Sequence, residues 1–487
     1  MNEPTLKIAT RIEIRRYAMA LPGGPYPKTK SFEVALTDVP RDIQAKYLVS
    51  GDLDGWRALA EYGQGNSRMI FAFCLAFVGP LSAVTTVEHV GMQFVGSGGE
   101  GKSGIGVVAS SAWGWDPDPN VADRNGFGQN WNSTINAVEP TLCGYNQTFL
   151  FLNEANLADE TGAKQSANIL KTIFKIEGSV GKARLNDPVP KRSWFAPVLS
   201  TSNISVIEHV RLAAGKRDQA DDHIDAAILD RLADIPPPEN GHGMFEYLHG
   251  YPDVGAFVAA LKAKAAANHG VAGREFVRKL LEARKEDRKK LTGWIEKRRK
   301  FYIKKATAQI TTSGRNLTRL HGKFATVYAA GALAAKFGIL PYKRKDVARA
   351  VLKCEIDHVR FVEGLLTGRT AQRKSHVELL RDYIRSNLSS FIDLRDKGDE
   401  LRGSDFKSAP GFIGIHKDRP EYLFAAEKFK EILGGRAAAD ECKRDLSHLG
   451  LIATAGAGKG ELRYVVKRSL GDKRRAVVAI DSELLAD

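Results

Sequence analysis

Gly96-Ser97-Gly98-Gly99-Glu100-Gly101-Lys102-Ser103 follows the strand-like run Met92-Gln-Phe-Val95 and leads, through Gly104, into a small-residue run ending at Ala112. Glycines at these positions let successive backbone N–H groups turn toward one oxyanion, and a helix beginning behind them adds positive potential. Strand, glycine loop and helix in that order form the context in which this pattern cradles nucleotide phosphates. Lys102 is expected to reach the β- and γ-phosphates of ATP, and the Ser103 hydroxyl to ligate Mg2+.

About fifty residues on, Phe149-Leu-Phe-Leu152 ends in Asn153-Glu154. Glu154 is the expected general base for an attacking water. Asn153 stands where an Asp normally supports Mg2+ through its water shell. As a neutral acceptor it predicts weaker metal affinity, unless a second carboxylate such as Asp159 assists. A third strand, Pro197-Val-Leu-Ser200-Thr201-Ser202-Asn203, also ends in polar residues. In P-loop ATPases with an inserted strand, a polar side chain there touches the γ-phosphate or orients the water. Asn203 is the candidate, with Ser200 and Thr201 as alternatives. Charge spread over the γ-phosphoryl group calls for an arginine, often from a neighbouring subunit. Arg231, in Leu229-Asp-Arg-Leu232, is the first choice and Arg217 its competitor. Arg319 or Lys323, opening an alanine-rich helix, is a further cation expected to reach the phosphates from the lid.

The 487-residue chain carries 72 Lys and Arg against 57 Asp and Glu, a net charge of +15 that favours a polyanionic partner. The charge is concentrated: Arg274 to Lys305 holds 14 basic and 5 acidic residues. Four dispersed cysteines, Cys74, Cys143, Cys354 and Cys442, argue against a disulfide framework or thiolate zinc site and suit a reducing cytoplasm. The N-terminal residues lack the apolar core of a signal peptide. The apolar run Met69 to Val84 is interrupted by Gly79-Pro80 and reads as a buried helix rather than a membrane span. No paired histidine spacing, nucleophile elbow or internal repeat is present.

Periodicity divides the chain into four parts. Residues 1–50 read as a small strand-rich segment, and residues 51–270 as a three-layer α/β domain with a mainly parallel sheet. Residues 271–370 read as a basic helical lid, and residues 371–487 as a linker and a compact tail. In the tail, helices over Ala426–Leu433 and Ala437–Leu449 flank Gly434-Gly435, and strands follow at Leu462–Lys467 and Ala476–Ile480. Helix, turn, helix and two-stranded wing is the order of a winged helix, although a generic α+β cap has a similar pattern.

These residues resemble the domain-of-unknown-function 927 family of phages and mobile elements, an AAA+-like ATPase group related to minichromosome-maintenance-type helicases. The resemblance runs from roughly residue 30 to 365. It rests on Trp56 through Glu61, Gly96 through Gly114, Asn153-Glu154, Gly181-Lys-Ala-Arg184, Trp194 through Asn203, Arg231-Leu-Ala-Asp-Ile-Pro236, Phe245 through Gly250 and His269 through Phe276. The family usually has Asp at the position of Asn153, which bears on hydrolysis rate rather than nucleotide binding. The resemblance implies an AAA+-like core, a hexameric ring and translocation on DNA. In such a ring, a hairpin between residues 178 and 193 is expected to enter the pore, with Lys182, Arg184, Lys191 and Arg192 holding phosphates. Lys473, Arg474 and Arg475 beside the wing are expected to grip the backbone without reading sequence. The two functional expectations are therefore an ATP-driven DNA helicase or translocase and, from Asn153, a nucleotide-gated initiator or loader with slow turnover. A metabolic P-loop enzyme fits the charge poorly.

Overall fold

The computed structural model describes residues 8–131, 138–155, 162–178, 193–214, 226–311, 317–366, 376–397, 405–433, 436–456, 462–470 and 473–485. Two compact units result, Met1–Arg369 and Thr370–Asp487. Among the described residues no helix is long and apolar enough to cross a membrane.

The first unit opens with short strands between Ile8 and Val34, paired in a two-stranded and a three-stranded sheet. After a helix over Leu53–Glu61, capped by the Asp52 side chain, comes α1 (Ser67–Leu75), which is buried on every face. The apolar run read from the sequence is therefore a core helix, followed by a 3-10 turn over Gly79–Ala83.

Five parallel strands form the central sheet: β1 (Gly91–Val95), β2 (Gln129–Asn130), β3 (Leu150–Asn153), β4 (Val198–Ser202) and β5 (Ala233–Ile235). Their spatial order is β5-β1-β4-β3-β2, so β4 is inserted between β1 and β3. β1, β3, β4 and β5 are buried along their whole length, as expected of parallel strands covered on both faces. β1 passes into α2 (Lys102–Ser110), β3 is followed by α3 (Gly162–Gly178), and β4 by α4 (Val206–Ala214). The short α5 (Ala226–Arg231) leads into β5, and α6 (Val254–Ala267) packs on α2.

The basic segment is a long helix, α7 (Val271–Gln309), broken by extended backbone at Asp287 (φ −156°, ψ 96°). It is followed by α8 (Thr318–Lys336) and α9 (Arg344–Leu366), which pack on α1. One continuous core runs from Ile12 to Val359, so residues 271–366 share their interior with the sheet. Alanines and Gly331 let α8 approach α1 closely: a Cβ at Gly331 would lie 2.1 Å from Cys74 Sγ. Arg68 on α1 is fully buried, donating to Asp357 on α9 at 2.6 Å and to the Pro236 carbonyl at 2.7 Å. The four cysteines are buried and unbridged, and burial pushes the Cys354 thiol up to about 12.

The second unit is organised differently from a helix pair with a separate wing. Strands β6 (Ile392–Asp393), β7 (Phe412–His416), β8 (Arg419–Ala425), β9 (Val466–Leu470) and β10 (Lys473–Asp481) form one sheet in the order β6-β7-β8-β10-β9. Helices α10 (His376–Asn387), α11 (Ala426–Ile432) and α12 (Arg436–His448) contribute to a core on one of its faces. β9 and β10 pair as the expected hairpin, from Val466↔Val477 to Leu470↔Lys473. However, β10 also pairs along its other edge with β8, so the strand expected in a free wing is interior. Alternation along β10 explains why: Val478 and Ile480 enter the helix-covered core, and Val477 and Ala479 enter a second cluster on the opposite face. Gly434 and Gly435 lie outside the described residues.

Gly331→Ala is expected to cost about 1–3 kcal/mol of unfolding free energy through overpacking. Adding Cys74→Ala should recover part of that loss in urea titration. Equal stability of Gly331→Ala and the parent would contradict the close α1–α8 approach.

Candidate functional site

The loop between β1 and α2 depends on backbone conformations open to glycine. Gly99 and Gly101 have φ of 80° and 86°, and a Cβ at Gly101 would meet the Phe245 ring at 2.3 Å. The Phe245 segment also braces the loop through a Met244 N–H bond to the Glu100 carbonyl at 2.8 Å. Lys102 opens α2 and is only 7% exposed. Its Nζ donates to the carbonyls of Gly96 (2.7 Å) and Ser97 and to Asn203 Oδ1 (3.1 Å). Gly98 to Gly104 line a cleft of about 450 Å3 together with Glu154, Thr201, Ser202, Asn203 and Lys262.

β4 links the two sides of this cleft. Asn153 Oδ1 accepts hydrogen bonds from Ser103 (2.7 Å) and Thr201 (2.9 Å). Its Nδ2 donates to the Arg124 carbonyl (3.3 Å) and Asn125 Oδ1 (3.2 Å). A backbone carbonyl only accepts, so Arg124 fixes which way the amide points. Both ends of Asn153 are thus used, and an Asp would turn a carboxylate oxygen toward the Arg124 carbonyl. Glu154, exposed beside Asn153, has a left-handed φ of 53°, and its N–H donates to Thr201 Oγ1 at 3.0 Å. A non-glycine residue held in that region carries a strain of about 1 kcal/mol or more, a feature concentrated at functional sites.

Lys102, Ser103, Asn153, Glu154 and Asn203 therefore converge. Of the alternatives on β4, Thr201 lines the cleft while Ser200 turns into the sheet. Its hydroxyl accepts from Trp131 Nε1 (2.9 Å) and donates to Gln93 Oε1 (3.0 Å). Gln93 Nε2 then donates to Asp234 Oδ1 (2.8 Å), whose partner oxygen accepts from the Val206 N–H (2.8 Å). This buried chain was not read from the sequence, where Gln93 and Asp234 are single polar residues in apolar strands. Burial pushes the Asp234 carboxyl up to about 7, against the pull of the Val206 and Gln93 donors.

Arg231 does not join the cleft. Its carbonyl lies against Gly91, at the opposite end of β1 from the glycine loop. Its guanidinium pairs with Glu177 and stacks on Phe174 at 4.5 Å, both on α3. Arg319 (2.6 Å) and Lys323 (3.3 Å) bind the same Glu177 carboxylate. The expectation that one of these two cations reaches the phosphates is thus corrected: α8 brings them to Glu177. In the second unit, Lys473 and Arg474 are exposed on β10, and Arg475 stacks over Phe406 at 4.5 Å. Lys182, Arg184, Lys191, Arg192, Arg217 and Asp159 lie outside the described residues.

Among the described residues no three His, Cys, Asp or Glu side chains gather as a metal cluster. The oxygens of Ser103, Asn153, Thr201 and Glu154 are nevertheless the hard donors that suit Mg2+ with its water shell retained.

The class defined by these features is a mixed α/β protein with a parallel five-stranded sheet and a glycine loop leaving its P-loop-like strand. Residues 25–187 match the family described as Domain of unknown function (DUF927), bearing out over that stretch the resemblance read from the sequence. Among solved structures, the chain is similar to one titled SCCmec type IV Cch, active helicase, with a TM-score of 0.48 and 15% identity over 99% of this chain and 81% of that one. It is also similar to the apo A form of the NrS-1 C-terminal region, with a TM-score of 0.27 and 13% identity over 94% and 82% of the two chains. A third is NtrX from Brucella abortus in complex with ATP, at a TM-score of 0.19 and 13% identity over 57% and 66%. No curated protein matches.

An unfolded aspartate titrates near pH ~4. With the folded Asp234 at about 7, the folded state holds the extra proton between those values. Its contribution to stability therefore falls as pH rises through that window and is flat above it. For Asp234→Asn, the parent-minus-variant unfolding free energy should decline from about pH 5 to about pH 7 and then level off. A difference constant across that range would show that Asp234 ionises normally.

Proposed function

We propose that the chain is an ATP-driven DNA helicase or translocase of a phage or mobile element, with an AAA+-like core that hydrolyses ATP between the subunits of a hexameric ring. The observation that carries this reading is the convergence of Lys102, Ser103, Glu154 and Asn203 across an inserted strand. In the proposed reaction a water oxygen bonds to the γ-phosphorus as Glu154 takes its proton, and the bond to the departing ADP oxygen breaks. Lys102 and the loop N–H groups bind the phosphates, and Asn203 orients the γ-phosphate and the water. Mg2+, held through Ser103 and the Asn153 side, would supply charge neutralisation between the phosphates. Arg231, a strand's length from the cleft in its own chain, acts on the ATP of a neighbouring copy. Residues 51–270 serve as the motor, 271–370 as its helical lid and 371–487 as a linker and a DNA-binding module built on its own five-stranded sheet. Lys473, Arg474 and Arg475, with Lys182, Arg184, Lys191 and Arg192, hold DNA phosphates.

Asn153 favours a second reading, a nucleotide-gated initiator or loader, because its amide is bonded at both ends where a carboxylate would otherwise stand.

The test is ATP turnover and solution mass, each with and without DNA. Lys102→Ala is expected to weaken nucleotide binding about ten- to hundredfold. Glu154→Gln should keep binding and lower turnover about 100- to 10,000-fold. A chain that stays monomeric and shows no DNA-stimulated turnover would sink the motor reading. A large gain in turnover from Asn153→Asp would mark the protein as a slow switch.

A further inference from the structure

We propose that the groove between residues 82–87 and the middle of α7 is a track for the phosphate backbone of nucleic acid. This rests on the reading of the chain as a DNA-acting ATPase and adds a surface that reading does not assign.

The cations of α7 fall into two groups. Some are committed within the protein: Arg284 donates to the carbonyls of Arg15 (2.7 Å) and Arg16 (2.6 Å), Arg299 pairs with Glu296 (3.0 Å), and Arg298 lies over Trp294 (5.6 Å). Seven others are exposed. Lys285, Arg288, Lys289 and Lys290 flank the break at Asp287, and Lys297, Lys300 and Lys304 continue beyond it. None of these seven has a carboxylate partner among the described residues. Two acids share the break, of which Asp287 accepts from the Lys290 N–H (2.9 Å) and Glu286 is exposed.

Arg288 and Lys289 line the groove, about 930 Å3 in volume, with Thr85, Thr86, Thr292 and Glu296. The Glu296 carboxylate is already engaged by Thr85 Oγ1 (3.0 Å) and Arg299 (3.0 Å). The opposite wall is stapled to α7 by Thr292 to the Val84 carbonyl (3.2 Å) and Arg299 to the Thr86 carbonyl (3.4 Å). The cations therefore sit beside a braced channel, and less side-chain and loop order is lost on binding than at a mobile basic tail.

The spacing fits a polymer. Lys289, Gly293, Lys297, Lys300 and Lys304 recur at intervals of three and four, which places them on one helical face. At about 1.5 Å per residue the stripe is about 22 Å long, roughly the axial rise across seven successive phosphates of one strand. Gly293 is exposed and nothing lies within 4 Å of where its Cβ would be, so a backbone can come close at mid-stripe. A bilayer fits less well. It presents a flat surface and favours several apolar anchors beside the cations, whereas from Glu282 to Lys304 one large apolar side chain, Phe301, is exposed, and it does not line the groove.

The test uses the full chain and fluorescently labelled single- and double-stranded 30-mers, with anisotropy read across a salt series. The groove variant is Arg288→Ala/Lys289→Ala/Lys297→Ala. Its control, Lys343→Ala/Lys345→Ala/Arg349→Ala, removes the same charge from exposed positions around the start of α9. The groove variant should bind about tenfold more weakly near 0.1 M salt, with its log–log salt slope lower by about two to three. The control should stay within about twofold of the parent, and turnover without DNA should be unchanged in both. If the groove variant behaves like the control while the parent binds DNA, the groove proposal fails and the motor reading stands. If the parent binds neither DNA form, both fail. Loss of binding to anionic phospholipid vesicles with DNA binding intact would overturn the nucleic-acid assignment in favour of a membrane surface.

Discussion

Inserting β4 between β1 and β3 sets the distance that the rest of the cleft must bridge. Adjacent strands lie about 4.8 Å apart, so the strand bearing the glycine loop and the strand bearing Glu154 are separated by about 9.6 Å. Neither can reach across the gap at the backbone level. The polar end of β4 fills it: Thr201 bonds to Asn153 and Glu154 on one side, and Asn203 bonds to Lys102 on the other. Ser103 completes the circuit from α2 to Asn153. The cleft is thus held by side chains from the ends of two strands and one helix, with backbone carbonyls of the glycine loop, and any shift of β4 would alter both sides together.

The same insertion brings polar groups into the interior. Ser200, Gln93 and Asp234 lie on three adjacent buried strands, where an unpaired polar atom costs about 1–3 kcal/mol. Their sequential hydrogen bonds offset that cost and fix the relative register of β4, β1 and β5. Arg68 is treated similarly. Its charge is fully buried but surrounded by Asp357, Glu246 and the Pro236 carbonyl. Breaking such a pair from one side is far costlier than never having built it.

Much of the cleft was legible in sequence because it depends on local backbone geometry. Gly96 to Ser103 must turn N–H groups inward, and only glycine adopts the left-handed conformation at Gly101 beneath the Phe245 ring. Polar residues ending apolar runs likewise announced β3 and β4. Partnerships across long sequence distances were not legible: Glu177 meets Arg319 142 residues away, and nothing local in α3 signals it. The hairpin of β7 and β8 was missed for a different reason. Its turn residues, Lys417 and Asp418, both have positive φ (50° and 61°) without the Asn-Gly or Asp-Gly pair that usually marks such a turn. Missing those strands made β10 read as the outer part of a wing rather than the middle of a sheet.

Helix α1 has no face left for water, and that limits how the gene can be divided. The surfaces that cover it come largely from α8 and α9, more than two hundred residues downstream, and β4 and β5 also follow residue 187. A segment ending at residue 187, where the family match stops, exposes a helix buried on every face in the whole unit and lacks β4 and β5, two of the five strands. Recombination that preserves this fold must therefore carry the stretch through α9 as one block, whereas the boundary after Arg369 is a seam at which a different C-terminal module can be joined.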